Sequence, residues 1–175
     1  MLKITSYIMF VMCMIVPLYA NDIYVTQSGA NLDLDITQDG SNNTVGNSTT
    51  ASTSTGATTV LDIDQVGNSN VITYQINGAT YTGTINLTGN SNDVDLNCDS
   101  AGNNSSCGTV TANITWTGNS NDIDLDIGET SDASNTTVNI TGQSGSDSNV
   151  VAATIDGTSA ILTLSLIHIS EPTRL

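Results

Sequence analysis

The sequence predicts an all-β protein: a β-solenoid of stacked strand-arc-strand windings, about five of them, with polar insertion loops. Three observations carry this expectation. A short unit recurs as VGNSNVI from Val66, TGNSNDVDL from Thr88 and TGNSNDIDLDI from Thr117, and self-similarity at intervals of tens of residues is the mark of a stacked architecture. The runs around it alternate apolar and polar, as in Leu61-Asp62-Ile63-Asp64, Thr84-Ile85-Asn86-Leu87 and Val138-Asn139-Ile140, which is the pattern of a strand with one buried face. Aromatic residues make up only 4% of the chain, too few for a conventional core. A stretch so rich in Thr, Asn, Ser, Asp and Gly is either disordered or a repetitive β structure held by backbone and amide hydrogen bonds. The repeated alternation favours the second, while 16 acids without a base over residues 21–163 favour the first.

Each unit can be justified in order. An alternating run leads into a glycine, which tolerates a left-handed backbone, and the asparagine-rich triplet after it suits a turn. A second short strand follows. Two such strands cannot bury a face alone. Stacking equivalent units at about 4.8 Å pairs the backbone above and below and closes a continuous core. The expected windings are 22–38, 59–76, 81–97, 109–127 and 136–155, with a half winding at 159–164. Residues 46–58, 98–108 and 128–135 are Ser/Thr/Gly-rich and read as exposed insertions. Stacked asparagine or glutamine amides can donate one to the next, forming a ladder.

The ends differ from this body. Residues 1–20 have Lys3, an apolar run from Ile8 to Val16 and small Ala20 before the expected cut, the signature of a secretory signal peptide. The domain is then 21–164. The tail, 165–175, holds His168, Pro172 and Arg174. It breaks in composition with the body, resembles translated adapter sequence, and is set aside from the functional reading. Of 17 acids, all but Glu171 lie in the body, which has no Lys, Arg or His between Asn21 and Thr163. That leaves no imidazole base, lysine nucleophile or arginine clamp, so an enzyme is not expected. Nucleic-acid binding is not expected either, for want of cations against phosphate. Neither a cofactor nor membrane insertion after signal cleavage is expected. Cys98 and Cys107, close together in an exported chain, read as a loop disulfide. Metal ligation by them lacks a histidine or further cysteine to complete a site.

The spacing glutamine, one residue, glycine, then asparagine two or three places on runs through Gln27-Gly29-Asn31, Gln38-Gly40-Asn43 and Gln65-Gly67-Asn70. Gly89-Asn92 and Gly118-Asn121 keep the glycine and asparagine, with Leu87 and Trp116 in the glutamine position. Gln143-Gly145-Asn149 follows more loosely. These units resemble the curlin repeat of bacterial functional amyloid. The resemblance implies export through an outer-membrane secretion pore. It also implies self-assembly into extracellular fibres of a biofilm or cell-surface matrix, with further copies and a related curlin nucleator or major subunit as partners. The alternative is a monomeric cell-surface solenoid that adheres to calcium or to a surface.

Aspartates recur as Asp33/Asp35, Asp62/Asp64, Asp93/Asp95 and Asp122/Asp124/Asp126. Asp93 and Asp122 follow their asparagines at the same offset, as do Asp95 and Asp124, so the carboxylates should stack. Like charges opposite one another destabilise a sheet. The expectation is a solvated acidic face, with Asp93, Asp95, Asp122 and Asp124 as calcium candidates and with assembly helped by low pH or divalent cations. Thr109/Thr111 and Thr115/Thr117 would suit an ice-like array only if they repeated in register, and by sequence offset they are not expected to. Trp116, at a core-facing position, is expected to pack inside.

Overall fold

A computed structural model describes residues 21–47, 49–67, 69–89, 91–98, 107–128, 133–143 and 148–167. The signal-peptide reading of residues 1–20 and most of the tail lie outside them. Twelve strands form: β1 (Asp22–Ile23), β2 (Thr26–Ser28), β3 (Asn31–Asp39), β4 (Asn42–Val45), β5 (Ser52–Val66), β6 (Ser69–Thr88), β7 (Asp93–Cys98), β8 (Thr109–Thr117), β9 (Asp122–Ile127), β10 (Asn135–Gly142), β11 (Val150–Ile155) and β12 (Ala160–Leu166). Every pairing between them is parallel. The protein is a β-solenoid. Following one position around the axis, Asp22 stacks on Thr44, then Val71, Asp93, Asp122 and Val150, which is five circuits. A last partial winding ends in β12, which pairs with β10.

The windings have two faces. One is built from β3, the second half of β5, the second half of β6, β8, β10 and β12. The other runs through β1 and β2, β4 with the first half of β5, the first half of β6, β7, β9 and β11. The long strands β5 and β6 pass around one corner without a break. Gly56 and Gly78 stand there in register. A Cβ on Gly56 would lie 2.0 Å from the Gly29 carbonyl oxygen, and one on Gly78 would lie 2.1 Å from that of Gly56. Only glycine lets three backbones approach so closely.

Inside, each second residue stacks on its equivalent. Ile36, Ile63, Ile85, Ile114 and Ile140 form one column, and all five are buried. β-Branched side chains hold one rotamer and pack well on a pleated surface. Each such burial contributes about 1.5–3 kcal/mol. Large residues sit over small ones, as Tyr74 does beside Ser52. The Tyr81 hydroxyl lies where a Cβ on Gly83 would be, at 1.9 Å.

The segment 46–58 is not the exposed loop that its composition predicts. Ser52–Val66 is a single strand with Ser52 and Ser54 buried. Small polar side chains are tolerated inside because they find partners. Ser52 Oγ accepts from the Val25 N–H at 3.0 Å, and Ser54 Oγ lies 3.0 Å from Thr59 Oγ1. The winding read as 59–76 therefore has a complete winding before it. Of the other insertions, 99–106 and 129–132 lie outside the described residues, whereas Cys98, Cys107 and Ala133 are buried.

Candidate functional site

Among the described residues no pocket opens into the solenoid, so the surfaces to consider are its corners, faces and ends. The corner opposite Gly56 is built on Gly40, Gly67, Gly89 and Gly118. The Gly40 N–H donates to the Val66 carbonyl at 3.0 Å, that of Gly67 to Thr88 at 2.8 Å, and that of Gly89 to Thr117 at 3.0 Å. The backbone ladder thus continues around the bend. A Cβ on Gly67, Gly89 or Gly118 would fall 1.8, 1.8 or 1.5 Å from the carbonyl oxygen of the preceding corner glycine.

The asparagine three residues after each of these glycines turns inward, and all of them are buried: Asn43, Asn70, Asn92 and Asn121. Asn70 Nδ2 donates to Asn92 Oδ1 at 2.7 Å, Asn92 Nδ2 to Asn121 Oδ1 at 2.5 Å, and Asn121 Nδ2 to Asn149 Oδ1 at 2.5 Å. Asn43 instead donates to the carbonyls of Gln38 and Val66, at 3.0 and 2.9 Å. Gln65 donates to Gln38 Oε1 at 2.5 Å, and the same column continues through Leu87, Trp116 and Gly142. Trp116 is fully buried, its Nε1–H donating to Asn149 Oδ1 at 3.4 Å. A Cβ on Gly142 would lie 2.9 Å from the indole, so glycine there gives the ring its space. Gln143 falls one residue past the column and accepts from Thr117 Oγ1 at 3.1 Å. Gly145 lies outside the described residues. The unit Gln27-Gly29-Asn31 stands elsewhere: Gln27 pairs with Ser54 and Asn31 with Thr58, and Gly29 abuts Gly56 at the other corner. Its likeness to the other units is local and does not put it in their column.

One face carries the stacked acids of β7 and β9. Asp93 pairs directly with Asp122, and Asp95 with Asp124. Partial loss of hydration raises the Asp93 carboxyl above the ordinary 3.8, with the charges of Asp122 and Asp124 adding to it. The same cause raises Asp95, reinforced by Asp124, Asp126 and Asp93. Asp124 is raised in turn, by lost hydration and then by Asp126 and Asp122. Among the described residues no three His, Cys, Asp or Glu side chains gather closely enough to hold a metal ion. On a strand, outward residues two apart are separated by about 6.7 Å, so the calcium candidates Asp93, Asp95, Asp122 and Asp124 line up along the face and do not converge on one point.

The other face carries Asp33, Asp35, Asp62 and Asp64 outward on β3 and β5, with Asp62 beside Thr84 and Asp64 beside Asn86, and changes character only from the second half of β6 onward. Across β6, β8 and β10 the outward positions hold only threonine and asparagine. Thr82, Thr111 and Thr137 form one column, Thr80 and Thr109 another, and Thr115 and Thr141 a third. The pair Thr109/Thr111 therefore does recur in register, as Thr80/Thr82, contrary to the reading by sequence offset, whereas Thr115/Thr117 faces Asn86/Thr88. The insertions that shift the count lie between strands, where they leave the pairing untouched. The legible signal was distance to the corner glycine: Thr80 and Thr82 stand nine and seven residues before Gly89, as Thr109 and Thr111 do before Gly118. The winding before Gly145 has one residue more, which hides Thr137.

The Cys98–Cys107 disulfide joins the end of β7 to the residues before β8, with Cα atoms 5.9 Å apart. It closes the segment 99–106 at the corner where Gly56 and Gly78 serve the earlier windings. At the last rung, Leu162 and Leu164 continue the inward columns of Val138 and Ile140, and Leu166 that of Trp116. Each is about half exposed. Comparison with protein-family models, with curated proteins and with solved structures finds no match for this chain.

Proposed function

We propose that this chain is a secreted structural subunit, similar to curlin, that self-assembles rung on rung into extracellular fibres of a biofilm or cell-surface matrix. The observation that carries the reading is the last rung. Among the described residues β12 pairs only with β10 and β11 only with β9. A parallel edge unpaired among the described residues, with an apolar inner column, is a template for another strand. At the first rung, Leu32 and Leu34 are half-buried and β3 pairs only with β5. A second copy placed with β3 on β12 would set Leu34 over Leu162 and Ile36 over Leu164. This continues the columns that already run through the molecule. A chain without Lys or Arg between residues 21 and 163 meets its own kind through edges and apolar columns, since it has no ion pairs to offer. Export, and any secretion pore or nucleator, rest on residues 1–20 and on the repeat resemblance.

The test is incubation of the purified chain with thioflavin fluorescence and fibre diffraction. A lag followed by a meridional reflection near 4.8 Å is expected. Leu162→Lys with Leu164→Lys should prevent growth while leaving the circular dichroism of the monomer unchanged. Immediate β signal from a chain that stays monomeric at every concentration would overturn the reading.

A further inference from the structure

The geometry points to a second function for the threonine face: it binds the surface of crystalline water. This inference concerns the single solenoid and does not depend on fibre assembly. It begins with charge. The chain carries 17 acids, yet the three rungs 80–88, 109–117 and 135–142 hold none. The stacked carboxylates of Asp93, Asp95, Asp122 and Asp124 occupy the opposite side. A carboxylate organises its own hydration shell, which fits no neutral lattice; these three rungs, bordered on the same face by Asp62 and Asp64 of the preceding rung, form an uncharged patch that can meet one.

The second element is spacing. Rungs repeat at about 4.8 Å and outward residues along a strand at about 6.7 Å, which makes a two-dimensional lattice of hydroxyls and methyls. The oxygens of an ice prism face repeat on the same scale in both directions. Threonine restricts χ1 through its β-branch, so this lattice is ordered before the ligand arrives, and little entropy is lost on contact. Where the columns carry asparagine, the amides are tied down: Asn139 Nδ2 donates to Asn113 Oδ1 at 2.9 Å. Thr82 is exposed, while Thr111 and Thr137 are partly buried between their stacked neighbours. Water held in the gaps between columns can join a crystal as hydrogen-bonded lattice members.

The chemistry separates water from the other flat crystalline ligand, a polysaccharide. Sugar faces are met by aromatic platforms, and Trp116, Tyr74 and Tyr81 are fully buried. Tyr24 lies off this face, with its hydroxyl accepting from Asn47.

The experiment grows ice slowly from a solution of the full chain and measures its partition into the crystal, with thermal hysteresis read beside it. The wild-type chain should enter the ice and show hysteresis. Thr111→Tyr places a ring proud of the plane while keeping a strand-favouring residue, and it should abolish both. Thr82→Tyr, one rung away, should do the same, and circular dichroism identifies whichever variant remains folded. Asp126→Asn, on the acidic side, should leave both readouts as in the wild type. A folded wild-type chain excluded from ice overturns the inference. So does equal partition of the folded Thr111→Tyr chain, or retention on crystalline cellulose or chitin with exclusion from ice. A wild-type dimer that Thr111→Tyr dissociates would show that a second copy covers the face, and would overturn it too.

Discussion

Asn92 donates its side-chain amide to Asn121 Oδ1 at 2.5 Å, one rung along the stack, while also facing the Gly89 carbonyl of its own bend at 3.4 Å. Both asparagines are buried. The bond therefore links a turn to the next turn inside the protein, where no water replaces a lost partner. It joins two levels of structure: the bend needs the asparagine locally, and the stack needs it between windings.

Asn92→Ala should accordingly destabilise the whole array. Asn70 Nδ2 would lose its acceptor and Asn121 Oδ1 its donor. A buried unsatisfied group costs about 1–3 kcal/mol, so the pair amounts to about 3 kcal/mol. Urea unfolding followed by circular dichroism measures this, and a loss below about 1 kcal/mol would contradict the ladder's role.

Corner glycines should be more sensitive than the other bends. In Gly89→Ala the new Cβ would meet the Gly67 carbonyl oxygen at 1.8 Å, a backbone atom that cannot step aside. In Gly108→Ala the nearest atom is the Ala79 oxygen, at 3.1 Å. Overpacking costs about 1–3 kcal/mol, and the first substitution should reach the top of that range while the second, which needs a shift of only a few tenths of an ångström, stays at or below its bottom. Equal thermal midpoints for the two variants would refute the close-stacked corner.

Acid should stabilise this protein, the reverse of ordinary behaviour. Asp93, Asp95 and Asp124 are all raised above 3.8 in the folded chain, so the folded state takes up protons more readily than the unfolded one. Stability rises as pH falls from neutrality through the raised values, and levels off below 3.8 as the unfolded chain is protonated too. The thermal midpoint should be higher at pH 4 than at pH 7. Asp124→Asn should raise the unfolding free energy at pH 7 by about 0.5 kcal/mol, the scale of an exposed like-charge contact, and flatten the pH profile. A midpoint that falls steadily with acid would mean that these carboxylates are not held in mutual repulsion.

Reduction of the Cys98–Cys107 bond should weaken the fold without erasing it. The two cysteines are nine residues apart, and loop-closure entropy for so short a loop is about 2.5 kcal/mol. Thermal unfolding with and without reductant gives the difference. The β signal at room temperature should persist, since every rung keeps its backbone pairing.

Much of this architecture was open to reading from residues alone. Alternation in Leu61-Asp62-Ile63 assigns a strand, and the glycine and asparagine of Gly89-Asn92 assign a bend. Repetition of that pair at Gly67-Asn70 and Gly118-Asn121 places the bends in one column. Leu87 and Trp116 stand where the glutamine position of the repeat predicts. Gln27-Gly29-Asn31 has the same local spelling and lies at the other corner, because a motif of five residues does not encode which corner it turns. Ser52 and Ser54 read as loop residues and are core. Their small polar side chains match a tyrosine one rung away, and no local pattern shows that pairing.

The sequence by itself determined the strands, the bends and the acidic balance, since each depends on a residue and its immediate neighbours. Tertiary structure alone decided which residues share a column. Insertions of unequal length are absorbed at the corners, and the backbone ladder resets the register of each rung. Thr82, Thr111 and Thr137 thereby come to stand side by side although the chain between them is 28 and 25 residues long. The same resetting stacks Asp93 on Asp122 and Asp95 on Asp124 along one face, and leaves Asp62 and Asp64 beside Thr84 and Asn86 on the other, because parallel pairing fixes where each side chain points however much chain lies between.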